Sequence, residues 1–408
     1  MRVGTHRGKW SAVSGYLEGE EQPLLRAVKE IREELGLSGN QIKPVRAGEI
    51  LRVFDEENDT VWVVHPFLFE AKSKTVQLDW ENTEYKWIYP NELGSYETVP
   101  KLKETFDRVR YDSQASPESL RKVMSGVEEL VRDKVHGASF QGRRAVKLLL
   151  DTVNASDTRN ADDLFSDLML VSSRLRNAQP AMANVWNMTG QLLHLVDIER
   201  KNTISVEELK RVVAKLGQKV LEESEEAAED ASRNTVQILP QEGKVLTHSY
   251  SRTVFRALEL GSKSGRGFEV YATESYPGNE GKQLANDLVA LGVPVKLIAD
   301  SAVNSIMPRL KLVLVGADSV LRNGSLIHKV GTRNIAIEAK NHGIPVCSAC
   351  ETTKFNVSNF LGYPSKIAEN IFDVTPAEYL SKFITEHGQV ETVNVEERIR
   401  KLVMEIYP

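Results

Sequence analysis

Only two cysteines occur in the 408 residues, Cys347 and Cys350, so no disulfide framework organises this chain. Their C-x-x-C spacing has no second pair to complete a zinc site. It also lies in the strand-like run I-P-V-C-S-A-C-E, where positions three apart point to opposite faces, so two reduced, partly buried thiols are expected. No apolar run reaches membrane-spanning length and nothing resembles a signal peptide, which makes the cytosol the default location. An excess of one charge is missing too. With a net charge of -5 and a pI near 6.0, there is no electrostatic reason to expect nucleic acid or an anionic membrane as partner. The 41% hydrophobic and 27% charged content is that of a soluble globular protein long enough for two or three cores.

What the chain does contain is a spaced acidic helix. Residues Gly15 to Leu37 read G-x5-E-x7-K-E-I-R-E-E-L-G-L. At 100° per residue, Glu30, Glu33 and Glu34 fall within one arc, while Leu24, Val28, Ile31 and Leu35 form an apolar stripe opposite. Like charges at this spacing repel, and a hard divalent cation with oxygen ligands, Mg2+ or Mn2+, offsets that. Such a cation clamps a diphosphate and activates water. The acidic spacing alone describes an ordinary solvated helix. With Gly15, Glu21, Gly36 and Leu37 also in register, the segment resembles the Nudix box, with Lys29 in place of its arginine.

The resemblance implies an N-terminal Nudix domain, an α/β/α sandwich over residues 1–110. Glu30, Glu33 and Glu34 would be its metal ligands and catalytic residues, supported by Glu21. The run Gly8 to Gly15 resembles the family's tryptophan-containing strand, Val61 to Glu70 reads as a strand, and Glu84 to Ile88 resembles the last strand before a helix start at Pro90. Only nine residues precede Trp10, so the domain is expected to be incomplete at its N-terminus. Lys29 offers a point charge where an arginine would orient a ligand carboxylate bidentately, so weakened hydrolysis is expected.

Residues 111–239 read as a helical domain. Ser116-Pro117-Glu118 starts a helix, periodic stretches follow at 142–153, 161–177 and 180–196, and Ser205-Val206-Glu207-Glu208 has capping-box spacing. Asp197, Glu199, Thr203, Ser205 and Glu208 occupy EF-hand positions, but Lys201 and Asn202 stand where a ligand and glycine belong, so calcium is rejected.

From residue 240 to 408, short β-branched runs alternate with helical ones. Candidate strands are Lys244 to His248, Glu269 to Glu274, Val295 to Ala299, Leu312 to Gly316 and Pro345 to Ser348. This alternation predicts a Rossmann-like open parallel sheet with its ligand crevice at the strand C-terminal ends. Polar residues cluster there: Thr247-His248-Ser249, Thr273-Glu274-Ser275, Gly316-Ala317-Asp318 and Glu351.

The runs V-L-T-H-S-Y-S-R (245–252), A-T-E-S-Y-P-G-N-E-G-K (272–282) and V-G-A-D-S-V-L-R-N-G-S-L-I-H-K-V-G-T (315–332), with Phe372 to Glu386, resemble the alpha, beta and delta subunits of translation initiation factor 2B. They also resemble that family's relatives, ribose-1,5-bisphosphate isomerase and methylthioribose-1-phosphate isomerase. The likeness spans about Ser116 to Pro408. It implies a site for a phosphorylated sugar or nucleotide built from Gly137, Ala138, Ser139, Ser249, Glu274, Gly281, Lys282, Asp318, Asn323 and Lys329. The isomerases pair a cysteine of T-H-C with the aspartate of G-A-D; here Asp318 is retained, and Ser249 takes the cysteine position. A serine hydroxyl is a poor proton shuttle near neutral pH. His136, Tyr276 and His328 also replace family residues, so binding without isomerisation is the expectation. Sugar phosphate isomerisation and a non-enzymatic role beside initiation-factor subunits are the alternatives. A homodimer is implied by the resemblance and agrees with the commonest symmetry.

Overall fold

The computed structural model describes residues 8–18, 21–55, 60–80, 82–110, 115–201, 205–363 and 365–406. The chain forms two compact units: Met1–Ser113 with Leu361–Tyr363, and Gln114–Phe360 with Pro364–Pro408.

The first unit is built on helix α1 (Pro23–Leu35). Proline at its first position lacks the amide that would go unsatisfied there, and Gly36, at φ 65°, closes it with an N–H to the Arg32 carbonyl. Ile31 is buried with Leu37 and Ile42, and Val28, Leu35, Val13, Phe69, Ala71 and Val76 pack against them. Strand β1 (Ile42–Ala47) pairs antiparallel with β4 (Phe67–Ala71), and β2 (Leu51–Asp55) pairs with β3 (Thr60–Val64).

Three expectations for this unit need correction. The single strand expected over Val61 to Glu70 is two strands in different sheets, interrupted at His65-Pro66, where a proline has no N–H for the ladder. Glu84 to Ile88 carries no strand; its Trp87 Nε1 instead donates to the Lys74 carbonyl at 2.7 Å. Trp10 makes one isolated bridge to Thr98 rather than a strand. A continuous sandwich sheet is therefore only partly present among the described residues. The short helix α2 (Leu102–Asp107) ends the unit's described secondary structure.

The second unit opens with five helices: α3 (Pro117–Arg132), α4 (Ala138–Ala155), α5 (Ala161–Ala178), α6 (Ala183–Arg200) and α7 (Val206–Val236). Ser116, Asn160 and Ser205 side chains accept from the third residue of the helices they cap. In the rejected calcium loop, Asp197 is ion-paired to Arg200 and Lys201, while Asn202 and Thr203 lie outside the described residues.

The sheet that follows has seven strands. They are β5 (Glu242–Thr247), β6 (Gly267–Thr273), β7 (Val295–Ile298), β8 (Leu312–Val315), β11 (Val346–Ala349), β13 (Lys382–Thr385) and β14 (Gly388–Glu391). Their order is β14-β13-β11-β8-β5-β6-β7, parallel except for the β13–β14 hairpin. A smaller antiparallel sheet joins β9 (Ser319–Val320), β10 (Leu326–Lys329) and β12 (Phe372–Thr375). Helices α8 (Arg252–Lys263), α9 (Glu280–Ala290), α10 (Val303–Ile306), α11 (Thr332–Asn341), α12 (Val357–Phe360) and α13 (Val395–Ile406) complete the unit. Strands β5, β6, β8 and β11 contribute Val245, Val270, Leu314, Cys347 and Ala349 to a core shared with Leu258 of α8 and Leu284 of α9. Both cysteines are free and buried; burial pushes the Cys347 thiol up to about 11, so it is protonated at neutral pH.

The chain leaves β5 toward β6 and β7 on one side and returns to β8 and β11 on the other. A crevice therefore opens at the C-terminal ends of β5 and β8, where strand order reverses.

Candidate functional site

Around that crevice the strand-end loops are held by their own side chains. After β5, His248 is buried: its Nε2 donates to the Val330 carbonyl at 2.9 Å and its Nδ1 accepts from the Thr273 hydroxyl at 2.6 Å. One nitrogen donates and one accepts, so the ring is neutral, and burial lowers its pKa. Ser249 then adopts φ 69°, unusual for a residue with a Cβ. Its N–H is held by Ser275 Oγ at 2.7 Å. The loop after β6 is fixed by Asp300, whose two oxygens accept the N–H groups of Ser275 and Tyr276, each at 2.8 Å. Gly281, in the first turn of α9, lies so close to the end of β6 that a Cβ would sit 1.8 Å from the Thr273 carbonyl oxygen.

Three carboxylates and two lysines converge on this frame. Ser249 Oγ donates to Glu280 Oε1 at 2.8 Å, and Lys329 Nζ lies 2.7 Å from the same oxygen. Asp318, just past β8, is nearly buried, and the backbone amide of Ala138 at the start of α4 favours its charged form. Burial raises its pKa to about 6, against the pull of Lys354 and Lys329 and with a further push from Glu280. Beside it, Glu351 is fully buried, with one oxygen accepting from Ser139 Oγ at 2.8 Å and the other 3.2 Å from Lys354 Nζ. Burial alone would raise Glu351, yet its pKa is lowered, with Lys354 the largest opposing influence. The crevice thus combines acceptor carboxylates, two lysines and the N-terminus of an 18-residue helix, a composition suited to hydroxyl groups and a phosphate together.

Ser139, Ser249, Asp318 and Lys329 thus lie around one crevice, with the Ala138 amide acting on Asp318, and Gly137 is the N-cap of α4. Glu274 and Lys282 pair with each other at 3.1 Å on the exposed side of the β6–α9 loop. Asn323 is exposed in the turn between β9 and β10, accepting from Ser325 N–H, at the opposite end of that hairpin from Asp318 and Lys329. The sequence reading missed Glu280 and Lys354. Glu280 stood inside the quoted A-T-E-S-Y-P-G-N-E-G-K run, in the first turn of a helix leaving a strand, where an acid faces the crevice. His136, at the position of a phosphate-binding arginine in the resemblance, is exposed, hydrogen-bonded to Asp133 at 2.7 Å and stacked on Phe140. Tyr276 is likewise exposed, whereas His328 is buried, with Nδ1 2.9 Å from Thr332 Oγ1.

In the first unit, the three acids of α1 have separate surroundings. Glu30 is buried and ion-paired with Arg26, its Oε1 2.5 Å from Arg26 Nη2. It also abuts Gly15, where a Cβ would fall 1.8 Å from the same oxygen. The box glycine is needed to let that carboxylate in. Glu33 is exposed. Glu34 accepts from Ser14 N–H at 3.2 Å and Asn82 Nδ2 at 3.4 Å. Burial raises its pKa to about 7, with Glu30 and Asp79 adding to the rise. Lys29 is half-exposed and lies 3.9 Å from Glu21. The cation that matters here is Arg26, which the motif reading passed over although it lies four residues before Glu30. By type, these oxygen donors fit a hard divalent cation. Their arrangement does not yet converge: among the described residues no three carboxylate, histidine or cysteine side chains are grouped to hold a metal.

Comparison with known proteins agrees with this division. The profile described as "Initiation factor 2 subunit family" matches residues 134–363, and that of the "NUDIX domain" matches residues 1–109. Ribose 1,5-bisphosphate isomerase of Thermococcus kodakarensis is 27% identical over 292 residues, covering 66% of this chain and 91% of the relative. A Pyrococcus furiosus protein named "Putative translation initiation factor eIF-2B subunit 2-like" is 26% identical over 278 residues, covering 65% and 95%. A chain of the tetrameric eIF2B-beta2-delta2 complex from C. thermophilum superposes with a TM-score of 0.58 at 25% identity, over 70% of this chain and 97% of that one.

Proposed function

Because the chain belongs to the initiation factor 2 subunit family and carries a NUDIX domain ahead of it, we propose that its C-terminal crevice binds a phosphorylated sugar or nucleotide. The observation that carries this reading is the Ser249–Glu280–Lys329 cluster facing Asp318 at the start of α4. Lysine and helix N-terminus suit a phosphate, and the carboxylates suit sugar hydroxyls. The relatives include proteins named for ribose 1,5-bisphosphate isomerisation, which supports a ribose phosphate as the class to try first. Titrating ribose 1,5-bisphosphate onto the full chain tests it, and absence of heat or of any melting shift would remove the reading.

Isomerisation is a second reading, favoured by one observation. An aldose–ketose isomerisation moves a proton between neighbouring carbons, and a carboxyl titrating near neutral pH can shuttle it. Asp318, at about 6, is such a group. Ribulose 1,5-bisphosphate appearing from ribose 1,5-bisphosphate, and its loss in Asp318→Asn, decides this.

For the N-terminal part, the proposed activity is hydrolysis of a nucleoside diphosphate derivative such as a nucleotide sugar. Glu33 and Glu34 would hold Mg2+ or Mn2+, joined by Glu30 once Arg26 releases it. When bound, the cation would neutralise diphosphate charge and lower the pKa of water. Glu34, whose pKa burial lifts to about 7 with Glu30 and Asp79 adding to the rise, would then lose its proton, and Arg26 would be left to face ligand phosphate. Cleaving ADP-ribose yields a ribose phosphate, the class the crevice is proposed to accept. Incubation with ADP-ribose and Mg2+, with no AMP released, removes this link. A role without either activity, beside initiation-factor subunits, predicts co-purification with those subunits and indifference to Glu33→Gln/Glu34→Gln. A homodimer is proposed on the same footing.

A further inference from the structure

We infer that the pocket formed by Arg143, Arg252 and the start of α8 is a second anion subsite, taking a phosphoryl group of a small ligand. The pocket has a volume of about 380 Å³ and lies where α4, α7 and α8 meet. Arg143 projects from α4 one turn beyond Ser139, and Arg252 is the first residue of α8, three positions after Ser249. The pocket therefore adjoins the crevice through Glu351, which Ser139 binds and whose charge Arg143 feels.

The charges in this pocket are uneven. Glu229 and Glu259, which also line it, are each shared between two cations. Arg256 takes both, at 2.9 and 2.7 Å, while Arg233 lies 3.5 Å from Glu229 and Lys263 lies 2.7 Å from Glu259. Those acids are thus already engaged by cations other than Arg143 and Arg252. Arg143 donates to Ser224 Oγ at 3.2 Å, and among the described residues neither Arg143 nor Arg252 has a carboxylate at ion-pair distance. Glu225, the remaining acid, is exposed. Two guanidiniums facing one cavity repel each other: burial is the largest effect lowering the Arg143 pKa, Glu351 and Glu225 oppose it, and Arg252 adds to it. A phosphoryl group between them offsets that repulsion and offers separate oxygens to the two planar guanidiniums. Ser251 Oγ already accepts the Val254 N–H, so the amides of Arg252 and Thr253 are the ones left to face an anion at this helix start.

The inference rests on its own residues, apart from the crevice lysine, so the two can fail separately. The probe is inorganic phosphate, followed by broadening of its 31P signal as full-length protein is added. Lys329→Met, which disables the crevice, should retain broadening. Adding Arg143→Gln or Arg252→Gln to it should weaken binding roughly tenfold each, and the pair should abolish it. Arg144→Gln, the neighbouring arginine paired with Glu129, should change nothing. Arg252 is exposed, so its variant keeps the test alive if Arg143→Gln melts early. Broadening indifferent to both arginines, sensitive equally to Arg144, or absent from the Lys329→Met protein would overturn the subsite. Loss of ribose 1,5-bisphosphate binding in Lys329→Met alone speaks to the crevice and leaves this result intact.

Discussion

Each of the two units holds a carboxyl group that burial lifts toward neutrality, Glu34 to about 7 and Asp318 to about 6, yet their neighbours differ in kind. Glu34 sits among other acids, Glu30 and Asp79, and the nearby cation, Arg26, is already engaged by Glu30. Asp318 sits among Lys329, Lys354 and a helix N-terminus, with each lysine also holding a carboxylate. The first centre requires an added positive charge before its acids can act together. The second carries its compensation within the fold. A preassembled site of mixed charge binds without reorganising, and this is why the C-terminal crevice bears the stronger functional reading.

The largest expected effect that could break the comparison is catalytic. Asp318→Asn keeps the shape and an acceptor oxygen but cannot carry a proton, so any isomerisation should fall by about 10²–10⁴ while ribose 1,5-bisphosphate affinity changes only a few-fold. Product assay beside calorimetry reads both, and equal turnover would show that Asp318 only binds.

Next come the two glycines. A Cβ at Gly281 meets backbone, the Thr273 carbonyl, whereas at Gly15 it meets the end of the Glu30 side chain, each at 1.8 Å. Backbone cannot yield and a carboxylate can swing away. Gly281→Ala should therefore cost about 3 kcal/mol and Gly15→Ala about 1 kcal/mol, the upper and lower parts of the overpacking range. Urea unfolding curves of the two variants compare them; a costlier Gly15→Ala would mean that Glu30 is pinned.

The third is a pH dependence of comparable or smaller size. Asp318 has a folded pKa of about 6 against an ordinary value of 3.8, so between those values the folded state binds more protons. Stability from this group is fully present below about pH 4 and is lost as pH rises through 6. The loss is on the order of 2–3 kcal/mol at most, and Asp318→Asn should flatten it. Thermal melts from pH 4 to 8 on both proteins measure the difference. A wild-type profile as flat as the variant's would show that Asp318 does not titrate in this range.

The smallest concerns the first unit. Glu34 titrates in the same direction, its contribution present below the ordinary value of 4.5 and lost as pH rises through about 7. Added Mg2+ should pull that transition down if the box holds a cation. A Glu34 carboxyl NMR titration that is unmoved by Mg2+ would remove the metal from the account.

How far the sequence could be read follows the same division. In the second unit the strands β5, β6, β7, β8 and β11 fall within about two residues of the expected runs, since β-branched stretches bounded by polar loops leave little choice. Ser249 and Asp318 were legible as polar residues following β5 and β8 at the sheet's switch point, whereas Lys329, at the end of β10 in the smaller sheet, was named only through the family resemblance. Glu280 was not, as its partner Lys329 lies 49 residues away and only the folded crossover brings them together. Arg26 was legible in principle, being one helical turn from Glu30, but the box drew attention to Lys29 instead. The error over Val61 to Glu70 came from weighing β-branched content above a single proline, Pro66, which moves the chain from one sheet to another.

The claim that the C-terminal crevice is the preassembled ligand site is tested most directly by isothermal titration of ribose 1,5-bisphosphate, without divalent cation, onto the wild-type chain, Lys329→Met and Glu33→Gln/Glu34→Gln. The account predicts one site per chain in the wild type and in the double glutamine variant, with affinity weakened about a hundredfold in Lys329→Met, the loss expected for a buried charge partner. Equal binding by Lys329→Met, or binding abolished by the glutamine pair, would contradict it.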